Sequence, residues 1–418
     1  MPGPMPDATV RDRAALVGLV TAGARRDAAD ASLEELAGLV KAAGLQVALR
    51  AGQERARPDP ATFIGRGKVE TIRAACEELG VDVVVFDNEL TPAQLRNLEK
   101  ALDRRVLDRT QVILDIFARR ARTREGKLQV ELAQLEYLLP RLVGASAALS
   151  RLGGGIGTRG PGETKLETDR RKIRQRIAAL TRELAEVRQR RGHLRERRRE
   201  AETPAVALVG YTNAGKTTLF NRLAREAAVA TDALFVTLDP LVRRVRLANG
   251  AALLLSDTVG FIDRLPHTLV AAFRATLEEV VEADLLLHVV DVTDPEMDRH
   301  IDAVRAVLEG VEATDVPRLV VLNKADRLDT TEWARVRARH PGTCVVSARD
   351  GRGVDAMLEV VAQRLGLDTR TFTVELDPAV DADRQRIASF YRAGRVVRHD
   401  ESVGRVRLDV EVPRRLAE

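Results

Sequence analysis

The chain is poor in the features that mark secreted or membrane-spanning proteins. It has 418 residues but only two cysteines, Cys76 and Cys344, too few for the disulfide framework of a small secreted domain. No apolar stretch approaches the roughly 18 residues that a membrane-spanning helix needs. Residues 1–13 are polar and lack the apolar core of a signal peptide. We therefore expect a cytoplasmic protein with a disordered N-terminus and no stable membrane insertion, although peripheral membrane association stays open.

Aromatic side chains and metal-binding patterns are also scarce. Aromatic residues make up 3% of the chain, so platforms that stack the bases of single-stranded nucleic acid are not expected. The six histidines show no metal-ligand spacing. The charged residues and the glycine-rich motifs are therefore the informative features of the sequence.

The charge of the chain is concentrated in one segment. Lys and Arg number 67 and Asp and Glu 62, a net charge of +5. Residues 117–200 hold 22 Lys or Arg and 10 Asp or Glu, so this segment carries 22 − 10 = +12 and the remainder 5 − 12 = −7. A concentrated basic segment predicts contact with a polyanion, and folded RNA read through phosphates and shape is favoured. The alternative is a charged helix face that only meets water.

The clearest motif is a phosphate-binding loop. Residues 210–217 follow the pattern of Gly, four residues, Gly, Lys and Thr, between an apolar strand at 205–209 and a predicted helix at 218–225. In that context glycines let backbone N–H groups turn toward phosphate oxygens. Lys216 would reach the β- and γ-phosphates, and the Thr217 hydroxyl would bind Mg²⁺. The residues expected at the phosphates are Gly210, Tyr211, Thr212, Asn213, Ala214, Gly215, Lys216, Thr217 and Thr218.

Later strand ends predict the remaining parts of a guanine nucleotide site. The strand at 252–255 leads to Asp257, a carboxylate for Mg²⁺, and to Gly260, whose N–H can approach the γ-phosphate. The strand at 319–322 leads to Asp326, which can accept two hydrogen bonds from guanine and would be unpaired against adenine. The residues expected here are Asp257, Gly260, Asn323, Lys324, Asp326, Ser347 and Ala348. This order resembles the TRAFAC-type GTPases, which implies GTP or GDP with Mg²⁺ as cofactors.

A threonine should also close over Mg²⁺ and the γ-phosphate. Thr237 is the favoured residue, with Thr231 as the second choice and Thr212 as a weaker one. Lys216 and Thr237 are then the expected catalytic residues, and the expected Mg²⁺ ligands are Thr217, Thr237 and Asp257. Phe261 stands where Ras-type enzymes carry the glutamine that orients the attacking water. We therefore expect slow hydrolysis unless a partner or another group supplies that contact.

The basic segment predicts an antiparallel helical hairpin. Leucines at 128, 132, 135 and 139 and apolar residues at 173, 177, 180, 184 and 187 follow heptad spacing. A glycine-rich stretch at 152–162 would form the tip, and its alternative is a long flexible connection. The residues expected to contact RNA are Arg151, Gly153, Gly154, Gly155, Gly157, Arg159, Gly160 and Gly162.

The whole chain predicts an α/β fold with four folded parts. Residues 14–116 alternate strands and helices, as in a small α/β domain with a parallel sheet. The hairpin occupies 117–201, the P-loop GTPase domain 202–367, and a small α+β appendage of βαββ order 368–418. The predicted helices of the first part lie at 33–43, 69–79 and 92–102.

The order of motifs resembles the HflX family of ribosome-associated GTPases. It comprises Gly65-Arg66-Gly67-Lys68, residues 125–132, the glycine-rich stretch and the switch motif at 257–262. The resemblance implies binding to the large ribosomal subunit, with the tip near the peptidyl transferase centre, and splitting of stalled or idle ribosomes. We also expect a monomer. The resemblance also implies weak ATP activity of the N-terminal domain, for which no adequate motif is found.

One departure and one alternative accompany this resemblance. Leu241-Val242 stands where polar threonines are expected after Asp239-Pro240, which affects the detail of the first switch segment. The alternative function is a GTP-switched regulator of a protein partner, such as a membrane protease complex. The basic hairpin favours the ribosome.

Overall fold

The computed structural model describes residues 12–21, 26–144, 161–200, 203–225, 234–235, 237–238, 241–263, 274–402 and 404–414. The chain divides into two compact units. The first comprises residues 1–193, 231–239 and 264–275, and the second comprises residues 194–230, 240–263 and 276–418. Within the described ranges, every helix is too short or too polar to cross a membrane.

The first unit contains the predicted α/β domain. Its elements are β1 (Arg13–Thr21), α1 (Arg26–Ala42), β2 (Gln46–Arg55), α2 (Arg66–Glu78), β3 (Val83–Phe86), α3 (Pro92–Leu102) and β4 (Arg105–Asp108). The four strands are parallel and lie in the order β2-β1-β3-β4. Parallel strands need long crossovers, and the helices provide them while burying Val17, Ile72 and Phe86 in one core.

Local sequence signals set where these helices begin. The Thr91 hydroxyl accepts a hydrogen bond from the Gln94 N–H at 3.3 Å, and the Gln94 side chain accepts one from the Thr91 N–H at 3.0 Å. This reciprocal cap, with Pro92 in the first turn, starts α3 where predicted. Helix α1 begins at Arg26 rather than at Leu33 because alanine-rich residues 28–31 extend it.

Helices α5 (Arg124–Leu138) and α6 (Pro161–Glu200) pack as an antiparallel pair. Helix α4 (Arg109–Arg120) precedes α5, and a 3₁₀ turn covers Arg141–Gly144. Leu128 of α5 packs against Leu180 and Leu184 of α6. Ion pairs join Glu131 to Arg176 and Arg124 to Glu183, so residue numbers rise along one helix as they fall along the other. The two heptad seams therefore meet.

The tip of the hairpin lies mostly outside the described residues. The predicted contact residues that fall there are Arg151, Gly153, Gly154, Gly155, Gly157, Arg159 and Gly160. Gly162 lies in the first turn of α6, which begins at Pro161. The predicted loop therefore ends before Gly162, because proline favours the first turn of a helix.

A largely buried arginine joins the end of α5 to the α/β domain. The Arg141 guanidinium donates to the Asp108 carboxylate at 3.2 Å and to the Leu90 carbonyl at 3.2 Å. It also lies 3.3 Å from the centre of the Tyr137 ring. Asp108 is fully buried and caps α4 by accepting from the Gln111 N–H at 3.0 Å. The helical pair is thus fixed to the domain beside it by charge as well as by packing.

The second unit contains a six-stranded sheet. Its elements are β5 (Ala205–Val209), α7 (Lys216–Ala224), β6 (Leu241–Arg246), β7 (Ala252–Asp257), α8 (Arg274–Val281), β8 (Leu285–Asp291), α9 (Met297–Gly310), β9 (Arg318–Asn323), α10 (Thr330–Arg339), β10 (Cys344–Val345) and α11 (Val354–Arg364). The strand order is β10-β9-β8-β5-β7-β6, and among the described strands of this sheet only the edge strand β6 is antiparallel. The carboxyl ends of β5, β7, β8 and β9 therefore meet at one edge, where ligands bind in open α/β sheets.

The C-terminal appendage has the predicted βαββ order. It consists of β11 (Thr369–Leu376), α12 (Asp381–Ala393), β12 (Arg395–Ser402) and β13 (Arg405–Pro413). The strands form an antiparallel sheet in the order β11-β13-β12, and Phe390 of α12 packs on Leu408 and Val410.

Replacement of Arg141 by methionine should loosen the first unit. Arg141→Met leaves the buried Asp108 without its cation, and removal of one partner of a buried ion pair costs about 3 kcal/mol. We expect hydrogen–deuterium exchange to show a lower opening free energy across α3 and α4. Arg50→Met is the matched control, because the Arg50–Glu34 pair is 46% and 64% exposed and such pairs contribute roughly 0–1 kcal/mol. Equal effects of the two variants would contradict the role of Arg141.

Candidate nucleotide-binding site

The phosphate loop connects the central strand β5 to helix α7, as predicted. Two of its glycines are required by close contacts. A Cβ atom on Gly210 would lie 2.2 Å from the Val289 carbonyl oxygen, and one on Gly215 would lie 2.2 Å from the Asn323 side-chain nitrogen. Both glycines also have positive φ angles, 153° and 92°. No other residue type fits the chain at these two points.

Lys216 lies along the loop that it is predicted to serve. Its Nζ donates to the carbonyls of Gly210 at 2.9 Å and Tyr211 at 2.8 Å, and the side chain is buried. Burial lowers the pKa of Lys216 to about 8, and the nearby Asp257 offsets part of that effect. The buried ammonium group therefore lies at the phosphate loop, where an anion bound beside it would stabilise its charge.

The predicted Mg²⁺ ligands Thr217 and Asp257 are adjacent. Asp257 ends β7 and is fully buried, and Leu208 of β5 is its partner in the sheet register. The Thr217 hydroxyl donates to the Asp257 carboxylate at 2.9 Å. A hydroxyl and a carboxylate oxygen at the phosphate loop are the hard ligands that Mg²⁺ prefers, so these residues suit that ion.

Asn323 joins the phosphate loop to the predicted base-binding loops. Its side-chain nitrogen donates to the Ala214 carbonyl at 2.9 Å, and its side-chain oxygen accepts from the Ala348 N–H at 2.9 Å. The Ser347 hydroxyl donates to the Asp326 carboxylate at 3.1 Å. The structure thus brings together Ala214, Asn323, Asp326, Ser347 and Ala348. The contacts of these residues with a guanine base stay predictions.

Two residues that support this site were not predicted from the sequence. Asp291, the last residue of β8, pairs with Lys324 at 2.8 Å. Arg222 of α7 donates to the Ala348 carbonyl at 2.6 Å and also to the Arg349 carbonyl. The sequence pattern that identified Asp257, an aspartate at the end of an apolar strand, could also have identified Asp291. No sequence pattern identifies Arg222, because its partner Ala348 is 126 positions away.

The predicted switch motif at residues 257–262, here called the second switch segment, lies against the phosphate loop. The Thr212 N–H donates to the Phe261 carbonyl at 2.7 Å, and the Phe261 N–H donates to the Gly210 carbonyl at 3.1 Å. A Cβ atom on Gly260 would lie 2.9 Å from the Thr212 methyl carbon and 3.2 Å from Lys216 Nζ. The Phe261 ring is buried. Gly260 is therefore near the lysine that should meet the γ-phosphate, and Phe261 acts in packing.

Thr237 belongs to the first compact unit. Two residues before it, Phe235 packs edge-to-face on Phe117, with ring centres 4.7 Å apart. Leu234 lies beside Gly38 in the same unit. The role of Thr237 as an Mg²⁺ ligand and catalytic residue stays a prediction, and the second choice, Thr231, lies outside the described residues.

Nucleotide affinity should fall as pH rises above about 8. Below that pH, Lys216 is charged both with and without nucleotide. Above it, the free protein holds the lysine uncharged, and a bound phosphate anion raises the pKa of Lys216. Nucleotide binding must then add a proton to the lysine, so the nucleotide affinity falls by up to about tenfold per pH unit. We expect titration calorimetry at pH 8.5, in buffers of different ionisation enthalpy, to report proton uptake on GDP binding.

The control for this pH effect is Lys216→Arg. An arginine stays charged through this range, so the affinity of that variant should not change between pH 7.5 and 9, whatever its absolute value. Equal GDP affinity of the parent protein at those two pH values would contradict the assignment.

The Asp326→Asn variant should exchange guanine for xanthine preference. Xanthine has a carbonyl where guanine has its amino group, and the new amide can donate to it. A hydrogen bond to a charged group contributes roughly 1.5–3 kcal/mol, so GTP affinity should fall about 100-fold or more while XTP affinity rises. Ser347→Ala is the control, since it removes the hydroxyl that contacts Asp326 without changing which base fits. An unchanged GTP-to-XTP affinity ratio in Asp326→Asn would place base reading elsewhere.

Known families match most of the chain. Residues 30–118 match the family described as GTP-binding GTPase N-terminal, residues 120–198 the GTP-binding GTPase middle region, and residues 205–324 the 50S ribosome-binding GTPase. The GTPase HflX of Escherichia coli strain K12 is 46% identical over 91% of this chain and 89% of its own length. The GTPase HflX of Magnetococcus marinus is 46% identical over 96% and 92%.

These relatives agree with the geometry of the site. The phosphate loop, the buried Asp257 and the loop at Asn323 have the arrangement expected of the nucleotide site of a GTP hydrolase, and relatives similar over most of their length bear that activity in their names. The chain binds guanine nucleotides and hydrolyses GTP, and it belongs to the HflX family of GTPases.

Proposed function

We propose that this GTPase binds the large ribosomal subunit and uses Mg²⁺-dependent GTP hydrolysis to dissociate stalled or idle ribosomes into subunits. The observation that carries the proposal is the basic helical pair of the first unit. The pair lies within residues 117–200, a segment with a net charge of +12, and Arg141 fixes the pair to the α/β domain. The description of the family matched by residues 205–324, a 50S ribosome-binding GTPase, supports the same partner.

The helical pair has the length and charge to contact RNA beyond its own domain. Helix α6 has 40 residues, which corresponds to about 60 Å at 1.5 Å per residue. Its described cationic side chains include Lys172 and Arg174, which are 72% and 52% exposed. Their carboxylate partners are 4.0 and 3.8 Å away and also largely exposed. Such loose surface pairs contribute little energy, so these cations can exchange them for phosphates.

A second feature that supports the proposal is Phe261, which stands where Ras-type enzymes carry the glutamine that positions water. Phe261 is buried and can neither donate to nor accept from a water molecule. GTP hydrolysis needs a water oriented on the γ-phosphate, and groups supplied by a partner can be worth roughly 10³–10⁵-fold in rate. We infer that Lys216 stabilises the γ-phosphate charge, that Thr217, Asp257 and Thr237 hold Mg²⁺, and that the ribosome completes the site. When bound, Mg²⁺ supplies charge neutralisation of the phosphates.

The tip of the hairpin provides the test of this function. Arg151→Glu combined with Arg159→Glu reverses charge at the predicted RNA contact. We expect GTP affinity and the hydrolysis rate of the free protein to stay within about twofold, because the tip belongs to a different part of the chain from the phosphate loop. Ribosome splitting, measured by light scattering, should fall at least tenfold, since each lost phosphate contact weakens binding.

The control for the tip variant is a charge reversal outside the hairpin. Arg398→Glu reverses a charge in the C-terminal appendage, where Arg398 is 67% exposed, and should leave splitting unchanged. If the tip variant splits ribosomes as well as the parent does, the hairpin is only a scaffold. If the parent protein does not sediment with large subunits in the presence of a GTP analogue, the regulator of a protein partner becomes the better function.

A further inference from the structure

A small cavity lies directly behind the phosphate loop. Its volume is about 50 Å³. Loop residues 211–214 line one side, and residues 288–291 of the central strand β8 line the other. Three residues at the start of α9 and just before it, Asp294, Met297 and His300, complete the lining. The cavity therefore separates the segment that binds phosphate from the strand that supports it.

Two residues that line this cavity each have a buried polar atom without a hydrogen-bond partner within the part of the chain that the structure describes. These atoms are the Thr212 hydroxyl oxygen and His288 Nδ1. Thr212 is 7% and His288 1% exposed. An unsatisfied buried polar group destabilises the folded state, and the large majority of buried polar groups avoid that cost. A valine in place of the threonine or a leucine in place of the histidine would fill similar space without that cost, so each polar atom calls for a partner, and both residues line the same cavity.

The chemistry of the lining selects a neutral ligand. Burial lowers the pKa of His288 to about 3, and the positive charges of Arg318, Lys216 and Arg305 add to the effect. The imidazole is therefore neutral and presents either one donor or one acceptor at Nδ1, while the threonine hydroxyl can do both. A small molecule that both donates and accepts hydrogen bonds fits between them.

The acidic residues of the lining do not create a cation site. The Asp291 carboxylate accepts from the Thr293 N–H at 3.0 Å and pairs with Lys324 at 2.8 Å. The Asp294 carboxylate lies 3.0 Å from His300 Nδ1 and accepts from the Glu296 N–H at 2.8 Å. Each carboxylate already has its partners, so little negative charge is left for a metal ion.

We propose that this cavity binds ordered water, which bridges the Thr212 hydroxyl to His288 Nδ1 and makes His288 a positioning residue for the phosphate loop. One water needs about 10–15 Å³, so a cavity of about 50 Å³ has room for it. The bridge holds Thr212 in the position from which its N–H meets the Phe261 carbonyl and its methyl group meets Gly260. The water therefore supports the contact between the phosphate loop and the second switch segment, independently of any ribosomal role.

Two pairs of matched variants test the bridge. Thr212→Val removes the hydroxyl and keeps the shape, whereas Thr212→Ser keeps the hydroxyl. His288→Leu removes the polar atom, whereas His288→Asn places an amide atom close to the position of Nδ1. We expect Thr212→Val to bind a GTP analogue about tenfold more weakly than Thr212→Ser, and His288→Leu about tenfold more weakly than His288→Asn.

The double variant Thr212→Val with His288→Leu separates positioning from a general loss of stability. If one water connects the two residues, the double variant should bind the analogue about as weakly as either single variant, because each change already breaks the bridge. Additive losses, near 100-fold, would overturn the proposal. So would equal affinities of Thr212→Val and Thr212→Ser.

A crystal structure of the parent protein gives a direct answer that does not depend on any variant folding. Electron density for a water within hydrogen-bond distance of both the Thr212 hydroxyl and His288 Nδ1 is expected. A dry cavity at a resolution better than about 2 Å, where ordered waters are visible, would overturn the proposal, since polar cavities of this size hold water and apolar ones stay dry.

Discussion

The nucleotide site depends on one buried amide side chain. Asn323 donates to the carbonyl of Ala214 in the phosphate loop and accepts from the N–H of Ala348 in the guanine loop. Because both bonds are made by one rigid planar group, they fix the distance between the phosphate loop and the loop at Ala348. The Asn323 side chain also approaches Gly215 so closely that a Cβ atom there would lie 2.2 Å away. A glycine in the loop and an asparagine at a strand end are thus mutually required.

Shared strand ends organise the rest of the site. β5, β7, β8 and β9 are parallel and adjacent, so Gly210, Asp257, Asp291 and Asn323 reach one edge of the sheet. Asp257 contacts Thr217, and Asp291 pairs with Lys324. The lysine of the phosphate loop is buried among backbone carbonyls, and burial lowers its pKa. Because burial disfavours the charged form of this lysine, a phosphate anion that binds beside it would stabilise that charge strongly.

The first unit uses buried charge for a different purpose. Arg141 connects Asp108, the Leu90 carbonyl and the Tyr137 ring, so the end of α5 is fixed to the α/β domain. Farther along the helical pair, leucines pack in a narrow seam and the charged side chains are largely exposed. A firm base with a cationic, exposed surface is the arrangement that favours an RNA partner.

Local features of this protein follow from the chain alone, whereas the supporting contacts depend on the tertiary fold. The phosphate loop, the cap of α3 at Thr91 and the heptad seams involve residues close in the chain, where glycine, proline and apolar spacing have direct structural meaning. Spacing also identifies Asp257 and Asn323, because each ends an apolar strand. The expected start of α1 at Leu33 is wrong by seven positions, since alanine-rich residues carry no periodic signal.

Contacts between distant residues have no such signal. Arg222 reaches Ala348 across 126 positions of the chain, and the partnership of Arg141 with Asp108 spans 33. In the sequence His288 is one of six histidines without metal-ligand spacing, and only the fold brings it to the same cavity as Thr212. A lone polar residue has no spacing to interpret. Its role comes from which distant groups the fold places beside it and from how much water the fold removes.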